Sequence, residues 1–557
     1  MKEVAIFGEA ITFGFSVLRR DTQFPDILLT MSVSNAGGLA DIFCRPFRQD
    51  GSEDLRQGPF ISDAVWRSNH TSGADYVFIS RNHTEFNAQV RAANTQSGVQ
   101  LFSDIWCAIW AMSDTPASVE LELDVVHETR SLVDRETDAV EAIFGECCAL
   151  GGCPAWRALS EQLFGGGDGT EAPLDLCHVP GSVCDAEGHA VRINMAGWGL
   201  DCEMPVAEFK KFPRLQKLDV SHNALRGDVE DILAGLTSLR NLNEFRATDN
   251  LIDGRINSVP VCRFARRNMT VLNLERNGLI GALPDCLFDD STTLKELHLG
   301  GNSLSSTIPD VITLNSTLEV ISLEDCRLEG KVPKSLANLT KLMSLDLRQN
   351  DLTGKLDDDL FGSNVLRIVS LQGNRLTGKV PSSIAQGDIM RVVALDGNRF
   401  SKLPDEWMDG EGARLSTNLR ELRLSENKLK GGFPLVLAQL PELRVLDISD
   451  NSFGGPLPAE ENLFVKTWWI QMANNSFSGP IPDEWESVGI VTRTALDTGR
   501  LPFVDLSNNN LTGDVPEFIL DGTNFPPGTA VVLSGNDFTC PGNVSIPPHL
   551  QGLDCRK

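Results

Sequence analysis

Across the C-terminal two thirds of the chain, two apolar residues spaced two apart are followed at a fixed distance by an asparagine, another apolar residue and a glycine. The unit reads LxLxxNxLxGxxP, as in LDLRQNDLTG (345–354) and VDLSNNNLTGDVP (504–516). Its ladder positions are Asn223, Asn250, Asn277, Asn302, Cys326, Asn350, Asn374, Asn398, Asn427, Asn451, Asn475, Asn509 and Asn536, separated by 27, 27, 25, 24, 24, 24, 24, 29, 24, 24, 34 and 27 residues. A weaker first turn, VRINMAGWGL (191–200), carries Trp198 in that place. Apolar residues two apart put both side chains on one face of a short strand. A single coil cannot cover that face, so the coils must stack. The amide of an inward-turned asparagine then donates to and accepts from the backbone of the coils on either side. Cys326 does this only weakly, which predicts a softer coil. Strands stacked at about 4.8 Å, one per ladder position, predict a parallel sheet about 60 Å long that forms the inner wall of a curved solenoid.

The first 130 residues follow a different rule. Period-2 segments (ITFGFSV, DILLTMSVS, ADIFCRPF, DYVFIS, EFNAQVRA, IWCAIWAM, VELELDVV) separated by turn clusters predict an all-β sandwich. His127 to Cys147 reads as a helix and FGGGDGTEAP (164–173) as a loop. The expected organisation is a sandwich over 1–126, a helical linker and cysteine-rich cap over 127–189, a solenoid of about fourteen coils over 190–538 and a terminal cap over 539–557.

The repeat resembles the plant-type leucine-rich repeat, because the ladder is followed by LxGxhP in LIGALP (279), LEGKVP (328), LTGKVP (376), FSGPIP (477) and LTGDVP (511). The resemblance covers about 190–540 and includes CHVPGSVCDAEGHAVRINMAGWGL (177–200), which looks like the family's cysteine-bearing N-terminal cap. It implies an α/β solenoid with a parallel concave sheet in a right-handed superhelix, with a second short strand in each coil, as in receptor-like ectodomains and inhibitors of cell-wall polygalacturonases. LTGKLD (352) and LRGDVE (225) lack the proline and FSKLP (400) is shortened, which predicts interruption of the second strand there. The N-terminal segments resemble a pre-peptidase C-terminal-type sandwich, an accessory module. That resemblance implies a strand-to-strand bond between Cys44 and Cys107.

Composition narrows the setting. The 557 residues carry 49 Lys+Arg against 76 Asp+Glu, a net charge of -27 that repels phosphate backbones and argues against nucleic-acid partners. The longest apolar candidate, Ile105 to Met112, is far too short to span a bilayer, and Glu3 and Glu9 make the start a poor secretory signal, so a trimmed ectodomain is expected. An oxidising compartment is expected from eight N-x-[ST] sequons, at Asn69, Asn82, Asn268, Asn315, Asn338, Asn474, Asn510 and Asn543, and from thirteen cysteines in local groups. Cys540 and Cys555 bracket the last turn. Cys262 and Cys286 follow Pro260 and Pro284 at equivalent places of neighbouring coils, within disulfide range. Cys147, Cys148, Cys153, Cys177, Cys184 and Cys202 read as the N-terminal cap, with their pairing open.

Catalytic readings fail on inventory: no HExxH, GxSxG, Walker loop or helix-opening GxGxxG occurs, the eight histidines are scattered, and neither a cofactor nor a metal site is expected. The strand residues two and four places before each ladder position should be exposed on the concave face. Their central run, Arg246, Glu275, His298, Glu324, Asp346, Arg348, Gln372, Asp396, Arg423, Asp447 and Gln471, with Trp469 and Phe503 as an aromatic platform, suits a protein, peptide or carbohydrate ligand. Asn268, Asn315 and Asn338 precede their strands, where glycans leave that face clear. A surface-displayed, receptor-like recognition module is the leading expectation. A polygalacturonase-inhibitor-like regulator and a structural wall or adhesion component are the alternatives.

Overall fold

The computed structural model describes residues 134–148, 153, 177, 181–385, 389–409, 415–487, 503–521, 529–539, 549–551 and 555–556, together with the strands of the first 126 residues. Those strands run from Lys2–Ala5 to Ala117–Val126 and pair antiparallel. One sheet orders Lys2–Ala5, Ala117–Val126, Asp26–Val33 and Ala74–Ile79, and the other is built on the long strand Gly98–Ala111. Described strands fall on the period-2 segments, on EFNAQVRA only at its last three residues, where the strand is Val90–Thr95, and the register sets Cys44 opposite Cys107. The side chains of these strands, and with them the expected Cys44–Cys107 bond, lie outside the described residues. So do Cys540, the side chain of Cys555, Asn69, Asn82, Asn543 and residues 127–133 of the expected helix, which is described over Asp134–Cys147.

The chain divides into two compact units, residues 1–287 with 291–303 and residues 288–290 with 304–557. In the first, Ser182–Cys184 pairs antiparallel with Ala190–Asn194, and the parallel strands Lys217–Asp219, Glu244–Arg246, Val271–Asn273 and Glu296–His298 follow. The apolar end of this stack is closed by the helix Asp134–Cys147. Its Phe144 stacks on Trp198 with centroids 5.4 Å apart, so the aromatic ladder residue serves the cap. Glu136, fully buried, receives Ala190 N–H at 2.8 Å and meets His189 Nδ1 at 2.8 Å. Cys147–Cys202, Cys148–Cys153 and Cys177–Cys184 cross-link this end, which gives the pairing that the sequence left open. Cys262–Cys286 joins two neighbouring coils, with Cα atoms 5.6 Å apart.

In the second unit, parallel strands succeed one another from Val320–Ser322 through Ser344–Asp346, Ile368–Ser370, Val392–Ala394, Glu421–Arg423, Val445–Asp447, Trp469–Gln471 and Phe503–Asp505 to Ala530–Val532. The asparagines make the same bonds in both units. Asn250 Nδ2 donates to Val220 O (3.1 Å) in the coil before and to Ala247 O (3.2 Å) in its own, while its Oδ1 accepts Leu225 N–H (3.0 Å). Asn374 repeats this with Leu347 O, Leu371 O and Leu352 N–H at 2.9, 3.0 and 3.1 Å. At Cys326 the next coil's asparagine takes up the load: Asn350 Oδ1 accepts both Cys326 N–H (3.1 Å) and Leu328 N–H (2.8 Å).

Turning the asparagine inward requires a left-handed residue just before it. His222, Asp249, Arg276, Asp325, Gln349, Glu426, Asp450, Asn474 and Asn508 have φ between 48° and 55°. Each costs roughly 1–2 kcal/mol for an L-residue, so the ladder's hydrogen bonds must over-determine the turn. Glycine stands there at 373 and 535, where a Cβ would lie 2.5 Å from Gln349 Nε2 and 2.2 Å from Asn508 Oδ1.

The second strand corrects an expectation. Arg226–Asp228 and Asp351–Lys355 form and pair despite the missing prolines, because the strand ends before the position that proline occupies: Arg375–Lys379 precedes Pro381. At the shortened FSKLP the register does slip, between Gly378 and Lys379, and that sheet ends at Arg399–Lys402.

Candidate functional site

The strand triplets place residues four before the ladder on the sheet face opposite the leucines. In the first unit that face is closed. Arg246, Glu275 and His298, expected to be exposed, are buried, His298 completely. His298 sits between two carboxylates, with Nδ1 3.4 Å from Glu275 Oε1 and Nε2 3.5 Å from Glu296 Oε2, and Arg246 reaches Glu296 at 3.8 Å. In the second unit Glu324, Asp346 and Arg348 are buried as well. Ser322 Oγ donates to Glu324 Oε2 at 2.6 Å, and Arg348 Nη1 lies 3.4 Å from Asp346 Oδ2. One physical reason applies to all six corrections. Rows stacked about 4.8 Å apart are narrower than a Glu, His or Arg side chain, so these groups fold over one another and exchange water for each other.

Further along the second unit the face opens. Gln372, Asp396, Arg423, Asp447, Trp469, Gln471, Phe503 and Asp505 are half-buried. Arg423, at the centre, pairs with Glu421 through Nε. Burial alone would lower its pKa, but Glu421, Asp396 and Asp447 more than offset this and raise it. Burial pushes Asp396 up to about 6 against the pull of Arg423, with Asp447 and Glu426 adding to the rise. Asp396 Oδ1 and Gln372 Oε1, in adjacent rows, have no hydrogen-bond partner among the described residues. Asp447 is held by Ser449, whose N–H and Oγ donate to its Oδ1 at 3.1 and 2.7 Å.

Trp469 and Phe503 are register partners, and their rings stack with centroids 4.4 Å apart. Trp468 meets Trp469 edge-on at 6.0 Å, and Trp469 Nε1 donates to Gln471 Oε1 at 3.3 Å. The spacing rule located this pair, but it missed Trp468, whose buried ring braces the stack and whose position falls outside the alternation.

The described sequons differ in kind. Asn268 and Asn315 are exposed, as is Asn510 on a second strand, whereas Asn338 is half-buried and donates to Ile312 O at 2.8 Å. Asn474 stands in a polar row, donating to Asp450 Oδ1 and accepting from Asn508 Nδ2, both at 2.8 Å.

Comparison with known proteins bears on the repeat. The leucine-rich-repeat family model matches residues 293–314, 317–339, 418–440 and 442–462. Receptor-like protein 35 of Arabidopsis thaliana is 31% identical over 129 residues, 23% of this chain and 13% of that protein. The Arabidopsis receptor-like protein kinase HAIKU2 is 27% identical over 175 residues, 28% of this chain and 16% of the kinase. The matches thus span under a fifth of either relative's length. Among solved structures, the ectodomain of the Arabidopsis receptor kinase HAESA with an N-terminally extended IDA peptide hormone superposes with a TM-score of 0.58 at 24% identity, covering 73% of this chain and 66% of that one. A TDR receptor gives 0.51 at 24% identity, covering 62% and 60%. At these identities the likeness concerns the fold. Four disulfides among the described residues place the chain in an oxidising setting, outside the cell or at its surface. The ladder, the paired second strands and the family matches together show that this chain carries stacked leucine-rich repeats with the coil seen in plant receptor ectodomains.

Proposed function

We propose that the chain is the recognition part of a receptor-like cell-surface protein, and that it binds a peptide, protein or glycan on the open rows from Gln372 to Asp505. The observation that carries this reading is the Trp469–Phe503 stack set beside Asp447, Gln471, Asp505 and Arg423. It offers a half-buried aromatic anchor ringed by donors and acceptors on rigid strands, the composition of a binding hot spot. The HAESA ectodomain, with the same fold, was solved with a peptide hormone, which supports a peptide as the first ligand class to test. The half-buried carboxylates of Asp396, Asp447 and Asp505 along these rows favour a basic ligand.

The test is a binding screen of the whole chain against secreted plant peptides and wall oligosaccharides, repeated with Trp469→Ala and Asp447→Asn. Loss of the selected ligand in both variants, with unfolding midpoints kept, supports the site. Undiminished affinity removes it. We further read the two N-terminal sheets as the leaves of an accessory sandwich over 1–126, followed by a cap over 127–189, coils over 190–538 and a terminal cap over 539–557. Limited proteolysis cutting between about 126 and 190 before any cut inside the coils checks that division.

A further inference from the structure

In the first unit, on the side from which the strands start, a cleft of about 480 Å³ is lined by Gln216, Arg240, Asn243, Asn268, Thr270 and Thr293, with Asn241 beside them. Its size falls within the range of about 300–1,000 Å³ typical of small-molecule sites. Its chemistry is amide, hydroxyl and guanidinium, without an aromatic ring or a carboxylate. One wall group is unusual: Asn243 Oδ1 is shut off from bulk water and has no hydrogen-bond partner among the described residues. Another, Asn268, is an exposed asparagine in the left-handed region (φ 54°) that heads the sequon Asn268-Met269-Thr270.

We infer that Asn268 carries an N-linked glycan whose first sugars lie in this cleft against Arg240, Gln216 and Asn243. The lining decides between a tethered sugar and a free one. A free saccharide draws much of its affinity from stacking on an aromatic face, and this cleft has none. A sugar attached to the wall itself needs no such affinity, because the covalent link sets a high effective concentration and leaves only orientation to the hydrogen bonds. The guanidinium of Arg240 and the amide of Gln216, both on exposed residues of the lining, match the hydroxyl and acetamido oxygens that a glycan offers as acceptors. The sequon's own Thr270 does not compete, since its hydroxyl is already turned onto Asn243 O at 3.0 Å. Likewise the Thr293 hydroxyl donates to Met269 O at 2.9 Å.

The experiment uses the whole chain secreted from a eukaryotic host. Glycopeptide mapping should find Asn268 occupied, and peptide-N-glycosidase should release that glycan from the native protein about tenfold more slowly than from the Arg240→Ala/Gln216→Ala variant. Both positions are exposed, so the double variant keeps its fold. The difference should vanish once both proteins are denatured. An unmodified Asn268, or native release rates within about twofold of one another, overturns the inference. Asn268→Asp, which tolerates the left-handed backbone and abolishes the sequon, should lower the melting temperature relative to the glycosylated protein. No change with occupancy shown at Asn268 also counts against seating in the cleft.

Discussion

Replacing Asn374 by alanine tests the ladder at a point where every bond is defined. Its Nδ2 donates to Leu347 O at 2.9 Å, Leu371 O at 3.0 Å and Gln372 O at 3.5 Å, and its Oδ1 accepts Leu352 N–H at 3.1 Å. The asparagine is 6% exposed and Leu352 is fully buried, so water cannot enter to replace the amide without opening the coil. A stranded buried N–H costs about 1–3 kcal/mol, and with three main-chain carbonyls losing a donor the total comes to about 3–5 kcal/mol. Coupling in a stack is between nearest neighbours, so the damage should stay local. Urea unfolding of the intact chain measures the loss, and hydrogen exchange locates it. Leu352 N–H should lose protection while Leu279 N–H, which rests on Asn302 at 3.0 Å, keeps its own. Asn374→Asp keeps the acceptor for Leu352 but removes all three donations, so Leu352 should stay protected although stability falls. A destabilisation below about 0.5 kcal/mol for the alanine variant, or unchanged exchange at Leu352, would refute the claim that these amides hold the coils together.

Three other outcomes follow from the same geometry. Breaking Cys262–Cys286, which closes a loop of 24 residues, by the double serine substitution should cost about 3.5 kcal/mol on the chain-entropy model, read from urea midpoints with and without reductant. Asp396, whose folded-state pKa is raised from 3.8 to about 6, takes up a proton on folding between those values, so its contribution to stability falls as pH rises from about 4 to 6. Asp396→Asn should flatten that slope and stabilise the protein above pH 6 by up to about 3 kcal/mol; an unchanged pH profile means the carboxyl is not held in a desolvated place. Gly535→Ala should destabilise by more than about 1 kcal/mol in thermal melts, because φ is 69° there and the new methyl meets Asn508 Oδ1, and Asn508→Ala should relieve part of the loss.

What the sequence determined by itself was the coil. The distance from leucine to leucine to asparagine depends only on strand pleat and on the bonding capacity of one amide, both local and repeated, so spacing alone located the strands, the ladder and the coil-to-coil relation of Cys262 and Cys286. The Trp469–Phe503 pair was legible for the same reason, since equal offsets from successive ladder positions become register partners once coils stack. What the spacing could not decide was how side chains of different coils treat one another. Glu275, His298, Glu324 and Asp346 occupy the same strand places as Asp396 or Asp447. Yet they are buried while those stay half-open, because the outcome depends on the neighbouring rows and on contacts between residues far apart in the chain. Three features also rest on long-range packing: the second strand's independence of its proline, the use of Trp198 against Phe144, and the cleft that gathers Gln216, Asn243 and Asn268 from three loops. No single stretch of the sequence contains the groups that form them, and only their convergence in three dimensions does.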